Sequence, residues 1–447
     1  MKALHPTLEI MMWDFGALSK TEEKCYVDLK IRQIASNGYP NLKNSSFPLT
    51  HLIVESQQLI RSYAETFIRQ HSTAASATVI QDCAKSCVSQ RDIQRVFVFF
   101  FWIHNVYKKY RRDNQNKMEL RAILVSLGLV YYLRLNSKYR AQYAAAIDKI
   151  VTIHGMAFRA VLEEDINWFI GHLRFPERIA LTTALKQNLF ATIACTCTNT
   201  PLILVGKPGT SKTLSFNLTV ENLKGIDSHN DILRKTELFP SLDPQVYQCS
   251  RQTTSLEVDK LFRRAIKRQK AYCNDIKCVV FMDEAGLPED SHESLKVLHH
   301  YLDEKEVAFV AISNHVLDAA KTNRAVSVVI PDTTVEDLRE LVRACYGDAI
   351  MTEDVLTYCP AFLEVIESKL WENIFGMRDF IHFLHYIYQR QQQVTPELVL
   401  HALERNFNGT DDFNDVCRVF LQDDFNVSCF PWHLSCCTAE PKTLLGV

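Results

Sequence analysis

Apolar residues recur at helical spacing over His51–His71, Arg91–Lys108 and Leu120–Tyr139, then again over Met156–Leu173 and Arg178–Ala194. Residues 1–150 hold few glycines and no hairpin signals, so they read as all-helical, with 151–200 as linking helices. The texture changes at Pro201. Five short β-rich runs follow, Leu202–Val205, Val246–Cys249, Cys278–Met282, Val307–Ser313 and Val326–Ile330, separated by amphipathic stretches. That alternation predicts a parallel sheet covered by helices over 201–333. Helical spacing returns through Val335–Cys345, Ala361–Leu370 and Arg378–Arg390, predicting a helical lid over 334–410. The tail, 411–447, is rich in Asp, Asn and Cys and carries no assignable element.

One internal repeat stands out. Gln90-Arg91-Asp92-Ile93 opens a long apolar helix, and Met377-Arg378-Asp379-Phe380 opens another. Two copies of a helical element around one sheet suggest the end of one module followed by a complete second one. The abrupt start and end of the sequence lead us to expect a fragment of something longer.

Composition narrows the class without naming a function. The chain is 47% apolar and 23% charged with a net charge of −2, which is ordinary for a globular protein and gives no general attraction to nucleic acid. Two basic stretches, Lys260–Arg268 and Lys108–Arg112, read as solvated helix faces, because Leu261, Ala265 and Ile266 punctuate the first at helical spacing. The purely apolar run Val96–Ile103 is too short to span a bilayer and reads as a buried helix. The 14 cysteines form no C-x-x-C pair and no zinc spacing; they read as reduced thiols in a cytosolic setting, with Cys436–Cys437 in an inert tail.

The chemistry gathers around the sheet. Leu202–Val205 leads into Gly206-Lys207-Pro208-Gly209-Thr210-Ser211-Lys212-Thr213, a strand, a tight loop and a helix start. This is a P-loop, whose backbone amides and helix N-terminus cradle phosphate oxygens. Lys212 is placed to neutralise the β- and γ-phosphates and Thr213 to ligate Mg²⁺. Ser211 departs from the general pattern, which has glycine there, and is expected to crowd the loop. The third run ends in Asp283-Glu284, a Walker B arrangement that sets two carboxylates at the sheet's C-terminal edge. Asp283 is expected in the Mg²⁺ shell, and Glu284 to orient and deprotonate the attacking water. Asn314, leaving the fourth run, is expected as a sensor of the water or the γ-phosphate. Arg324 is a candidate arginine finger for a neighbouring module's nucleotide, and Arg378, opening a lid helix, a candidate γ-phosphate contact.

Taken together, these features resemble an AAA+ ATPase: an α/β P-loop NTPase sheet with a helical lid, preceded here by an all-helical region. More narrowly, several stretches are similar to the giant mysterin-type AAA+ ubiquitin ligases. They are Val205–Thr213, Gln248-Cys249-Ser250, Asp283–Ser291, Ile312–Arg324 and Phe375–Phe380. That family also has Ser where Ser211 stands. Val88–Asp92 and Ser126–Tyr132 look like the lid of a preceding AAA+ unit. The resemblance implies ATP and Mg²⁺ as cofactors, neighbouring AAA+ modules and ubiquitin-pathway proteins as partners, and a cytoplasmic setting, in some members at lipid droplets. Ligase chemistry is not expected in this chain, which lacks a Cys/His zinc pattern. Two other readings stay open: an ATP-binding module that does not hydrolyse, and a multi-module remodelling motor acting on nucleic acid or protein complexes.

Overall fold

The computed structural model describes residues 19–36, 48–71, 87–110, 117–235, 237–272, 275–288, 295–347, 351–368, 376–390, 394–407 and 413–421. They form two compact units. The first joins Met1–Pro176 to Thr183–Asp332, and the second joins Glu177–Thr182 to Thr333–Val447.

The first unit is built on a five-stranded sheet: β1 (Leu202–Val205), β2 (Ser241–Gln248), β3 (Ile276–Asp283), β4 (Ala308–Ser313) and β5 (Val326–Val329). The strand order is β2-β3-β4-β1-β5, and every pair is parallel. Every residue of β1 and β4 is buried, as expected for strands covered on both faces and legible as continuous apolar runs. The edge strand β2 behaves differently. It begins at Ser241, five residues before the apolar run that betrays it, and buries only Leu242 and Gln245 while Val246 and Gln248 are exposed. Its polar first half, Ser241 to Gln245, hides a strand that pairs with β3 along its whole length. Because all strands run the same way, the loops that follow β1, β3 and β4 emerge at one edge.

The apolar run Val96–Ile103 lies in the helix Gln90–Tyr110, where Val96, Phe99, Phe100 and Ile103 are buried. Leu120–Tyr139 is not one helix. Met118–Leu127 passes into a π-helical turn, Gly128–Tyr132, and a new helix, Ser137–Val151, starts with Asn136 accepting a bond from the Tyr139 amide at 3.1 Å. Gly128 lies so close to Leu162 that a Cβ there would sit 2.7 Å from Leu162 Cδ1. The break has a purpose in the packing: it delivers the Leu133 carbonyl to the edge of β5, where it accepts from the Val329 amide at 2.9 Å. Arg140 secures that junction. Its buried guanidinium donates to the carbonyls of Leu135 (2.8 Å), Leu133 (3.0 Å) and Val329 (2.7 Å) and to Gln187 Oε1 (2.9 Å). Burial lowers its pKa to about 10, still well above neutrality, so the charge remains. The expected helix Met156–Leu173 runs from Phe158 to Ile170, and the one after it begins at Thr183 rather than Arg178, which takes a left-handed φ of 65°.

In the second unit, helices Val335–Tyr346, Cys359–Glu367, Met377–Arg390, Pro396–Phe407 and Phe413–Leu421 enclose Phe362, Phe380, Phe383, Leu384 and Phe420. The helix Phe413–Leu421 falls in the stretch left unassigned from sequence; Cys436–Cys437 lie outside the described residues. The repeated motif has the same local geometry in both places. The Ser89 amide donates to Asp92 Oδ2, and the Gly376 amide to Asp379 Oδ2, each at 2.9 Å. An acid in the first turn reaching back to the entering amide supplies an acceptor that the helix itself lacks.

Candidate functional site

The loop after β1 is shaped by two close approaches and two left-handed residues. Gly206 packs under Ile330, leaving no room for a side chain: a Cβ there would meet Ile330 Cδ1 at 2.8 Å and Ile330 Cβ at 2.9 Å. Gly209 (φ 82°) and Ser211 (φ 59°) then turn the chain into the helix Lys212–Asn222. Ser211 therefore holds the backbone conformation that the generic pattern reserves for glycine, at a cost on the order of 1 kcal/mol. Thr210 ties the loop with a 2.7 Å bond from its hydroxyl to the Lys207 carbonyl.

Lys212 is buried, and its ammonium fills the hollow of that loop. It donates to the carbonyls of Gly206 (2.6 Å) and Lys207 (2.8 Å) and to Asn314 Oδ1 (3.1 Å). Asn314 in turn donates through Nδ2 to Glu284 Oε2 at 3.0 Å. A cation from the helix start after β1, an amide from the end of β4 and a carboxylate from the end of β3 are thus linked in a row. Glu284 takes a positive φ of 52°, an uncommon conformation for a residue with a side chain. The turn is held by the Ala285 amide donating to the Ile312 carbonyl at 2.8 Å. Burial pushes the Asp283 carboxyl above its ordinary range, and the neighbouring Glu284 charge adds to that. A partly desolvated carboxylate of this kind is relieved by a cation, so Asp283 suits a metal-facing position. Thr213 stands exposed in the first turn of the helix, and Lys207 and Pro208 are exposed on the loop.

The expected residues do not all converge. Lys212, Asn314 and Glu284 are joined directly, and Asp283 precedes Glu284 in the same strand end. Arg324 is instead ion-paired with Asp303 on the helix Leu298–Glu304, at 2.9 Å. Arg378 is exposed at the start of the helix Met377–Arg390 in the second unit. Sequence reasoning passed over Asn188, which is buried and donates to the Thr210 carbonyl at 3.3 Å. The signal was available: Asn188 and Gln187 are amides in an otherwise apolar helix, Thr183–Cys197. It also passed over Ile330, whose pairing with Gly206 depends on β5 lying beside β1.

A parallel sheet in the order β2-β3-β4-β1-β5, with a phosphate loop after its fourth-placed strand and an acidic pair after β3, defines an AAA+ P-loop module with a helical region on its N-terminal side. Residues 178–337 match the family described as the RNF213 AAA domain, and over most of its length the chain is similar to the RNF213, or mysterin-type, AAA+ proteins. The E3 ubiquitin-protein ligase RNF213 of Homo sapiens is 27% identical over 92% of this chain, and rnf213-beta of Danio rerio is 27% identical over 93%. A Dictyostelium discoideum protein described as a putative transmembrane protein is 25% identical over 93% of the chain. The chain spans about 8% of the length of each of these relatives. Among the described residues, no helix is long and apolar enough to cross a membrane, and no group of His, Cys, Asp and Glu is arranged to hold a metal ion. Solved structures resemble the chain more loosely. Drosophila ORC bound to DNA is 14% identical over 54% of this chain and 70% of that one, with a TM-score of 0.35; Thermotoga maritima RuvB is 14% identical over 52% and 70%, with a TM-score of 0.31.

Proposed function

We propose that this chain binds ATP·Mg²⁺ at the loop Gly206–Thr213 and hydrolyses it. The observation that carries the reading is the row Lys212–Asn314–Glu284, in which the loop lysine and the acid after β3 are linked through one amide. In the proposal, Lys212 exchanges its two carbonyl partners for β- and γ-phosphate oxygens, and the loop amides donate to the remaining phosphate oxygens. Thr213 and Asp283 are the residues that would hold Mg²⁺, which supplies charge neutralisation at the phosphates. Glu284 holds the attacking water and takes its proton, and Asn314 positions both partners. Arg378 is assigned to the γ-phosphate from the lid side, and Arg324 acts on the nucleotide of a neighbouring module. The 1–150 helical region, 151–200 helices, 201–333 α/β domain and 334–410 lid would then work as an ATP-driven segment. In the setting of an RNF213-like ligase, ubiquitin-pathway proteins and adjoining AAA+ modules are the proposed partners and the cytoplasm the proposed compartment.

Calorimetry with Mg²⁺·ATP on the parent and on Lys212→Ala tests binding, and turnover by the parent against Glu284→Gln tests hydrolysis. Binding lost with the lysine and turnover lost with the glutamate are expected. A folded parent that ignores ATP overturns the whole reading. A Glu284→Gln protein as fast as its parent removes the catalytic half and leaves a binding module.

A further inference from the structure

Ser313 closes β4 and is fully buried. Its carbonyl accepts from the Gly206 amide at 3.1 Å, at the entry to the phosphate loop, and the Ile312 carbonyl before it accepts from Ala285 at 2.8 Å. The backbone here is therefore fixed between the ends of β1 and β3. The side chain acts further along the chain. Its Oγ donates to the His315 carbonyl at 2.5 Å and accepts from the His315 amide at 3.1 Å. Both bonds straddle Asn314, the amide that joins Lys212 at 3.1 Å to Glu284 at 3.0 Å. A hydroxyl that engages both polar main-chain groups of His315 leaves the turn through Asn314 little freedom.

Gly286, on the loop that follows Glu284, lies against that hydroxyl. Its φ is not positive, so its backbone conformation does not demand glycine. The demand comes from contact. A Cβ there would lie 2.4 Å from Ser313 Oγ, but 3.6 Å from Ser313 Cβ and 3.9 Å from the His315 carbonyl oxygen, so only the hydroxyl is too close. The Ser313 backbone cannot retreat while it is bonded to Gly206, so its side chain would have to rotate and give up both bonds to His315. We infer that Ser313 and Gly286 are positioning residues for hydrolysis: the hydroxyl aims Asn314 at Glu284, and the bare backbone at 286 leaves room for the hydroxyl. The inference rests on the hydrolysis proposed above and adds the support that keeps Asn314 in place. An amide misplaced by about 1 Å in such a row is enough to slow the chemical step up to about 100-fold.

The test compares four whole chains: the parent, Ser313→Ala, Gly286→Ala and the double variant. Turnover at saturating Mg²⁺·ATP is expected to fall about 10- to 100-fold in all three variants, and by the same factor in the double as in either single. The calorimetric Kd for Mg²⁺·ATP is expected to stay within about three-fold of the parent, because the phosphate loop is left intact. Gly286→Ala should lower the melting temperature by about 2 °C or more in the parent but not in the Ser313→Ala background, where the 2.4 Å contact no longer exists. Parent-like turnover by Ser313→Ala overturns the inference, as do losses that multiply in the double variant or that fall on Kd instead of turnover. Crystal structures of the parent and Ser313→Ala give a readout that needs no ATP. Asn314 is expected to leave Glu284 in the variant, and an Asn314 still bonded to it as in the parent overturns the inference. A parent without turnover overturns the proposed hydrolysis, and the crystal comparison then decides the positioning by itself.

Discussion

Gly206→Ala probes how the phosphate loop depends on its neighbour strand. Gly206 does not have a positive φ, so its backbone conformation is open to alanine, and the penalty must come from contact. The added methyl would lie 2.8 Å from Ile330 Cδ1, 2.9 Å from its Cβ and 3.1 Å from its Cγ1. The outer methyl can rotate away. The Cβ cannot, because the Ile330 amide is bonded to the Val205 carbonyl at 2.9 Å and fixes the backbone beside the loop. Overpacking of this kind costs about 2–3 kcal/mol. Lower entropy of the unfolded chain returns about 0.4–1 kcal/mol, leaving a net loss of roughly 1–2 kcal/mol. Denaturant titration read by amide exchange over β1 and β5 isolates the first unit, and a matching fall in ATP affinity is expected. Ile330→Val alone should cost about 0.5–1.5 kcal/mol, but it removes the 2.8 Å contact, so the double variant should lose less than the sum of the two. Strict additivity, or a Gly206→Ala protein as stable as its parent, refutes the reasoning.

Two further outcomes follow from the packing. Arg140→Met should destabilise the first unit by about 3 kcal/mol, since it strips donors from three main-chain carbonyls at the junction with β5; early exchange of the Val329 amide is the accompanying sign, and an unchanged unfolding midpoint would count against it. Asp243 on β2 is pulled two ways: burial favours its neutral form, but bonds from Cys278, Arg268 and Tyr272 outweigh that and hold its carboxyl below the ordinary 3.8. Its folded pKa being depressed, the stabilisation is complete above the unfolded value and disappears as pH falls through the folded one. Asp243→Asn should therefore cost about 1 kcal/mol near neutrality, discounted for the solvent around Arg268, and progressively less below pH 3.8; denaturation at a series of pH values checks it.

Much of the module was legible in the chain because its cues are local. The buried strands β1, β3 and β4 announce themselves as apolar runs, since a parallel strand covered on both faces has no polar side to show. Asp283, Glu284 and Asn314 follow from lying at the ends of those strands, and Lys212 from opening the helix after β1. The first half of β2 was not legible, because an edge strand carries Ser241, Asp243 and Gln245 as readily as a loop does. The break at Gly128–Tyr132 was missed for a similar reason: its apolar residues continue the helical spacing, and only Leu162 and the edge of β5 require the turn.

Sequence by itself thus determined that Asp283, Glu284 and Asn314 sit at the ends of apolar strands and that Lys212 opens the helix after the first of them. Only the tertiary structure decided which of them touch. Lys212, Asn314 and Glu284 join because the order β3-β4-β1 sets three strand ends side by side. Arg91 and Arg324 meet on Asp303 because the helix Gln90–Tyr110 packs against the segment leading into β5. Strand order and helix docking are long-range choices, made by the burial of whole faces, and no spacing along the chain encodes them.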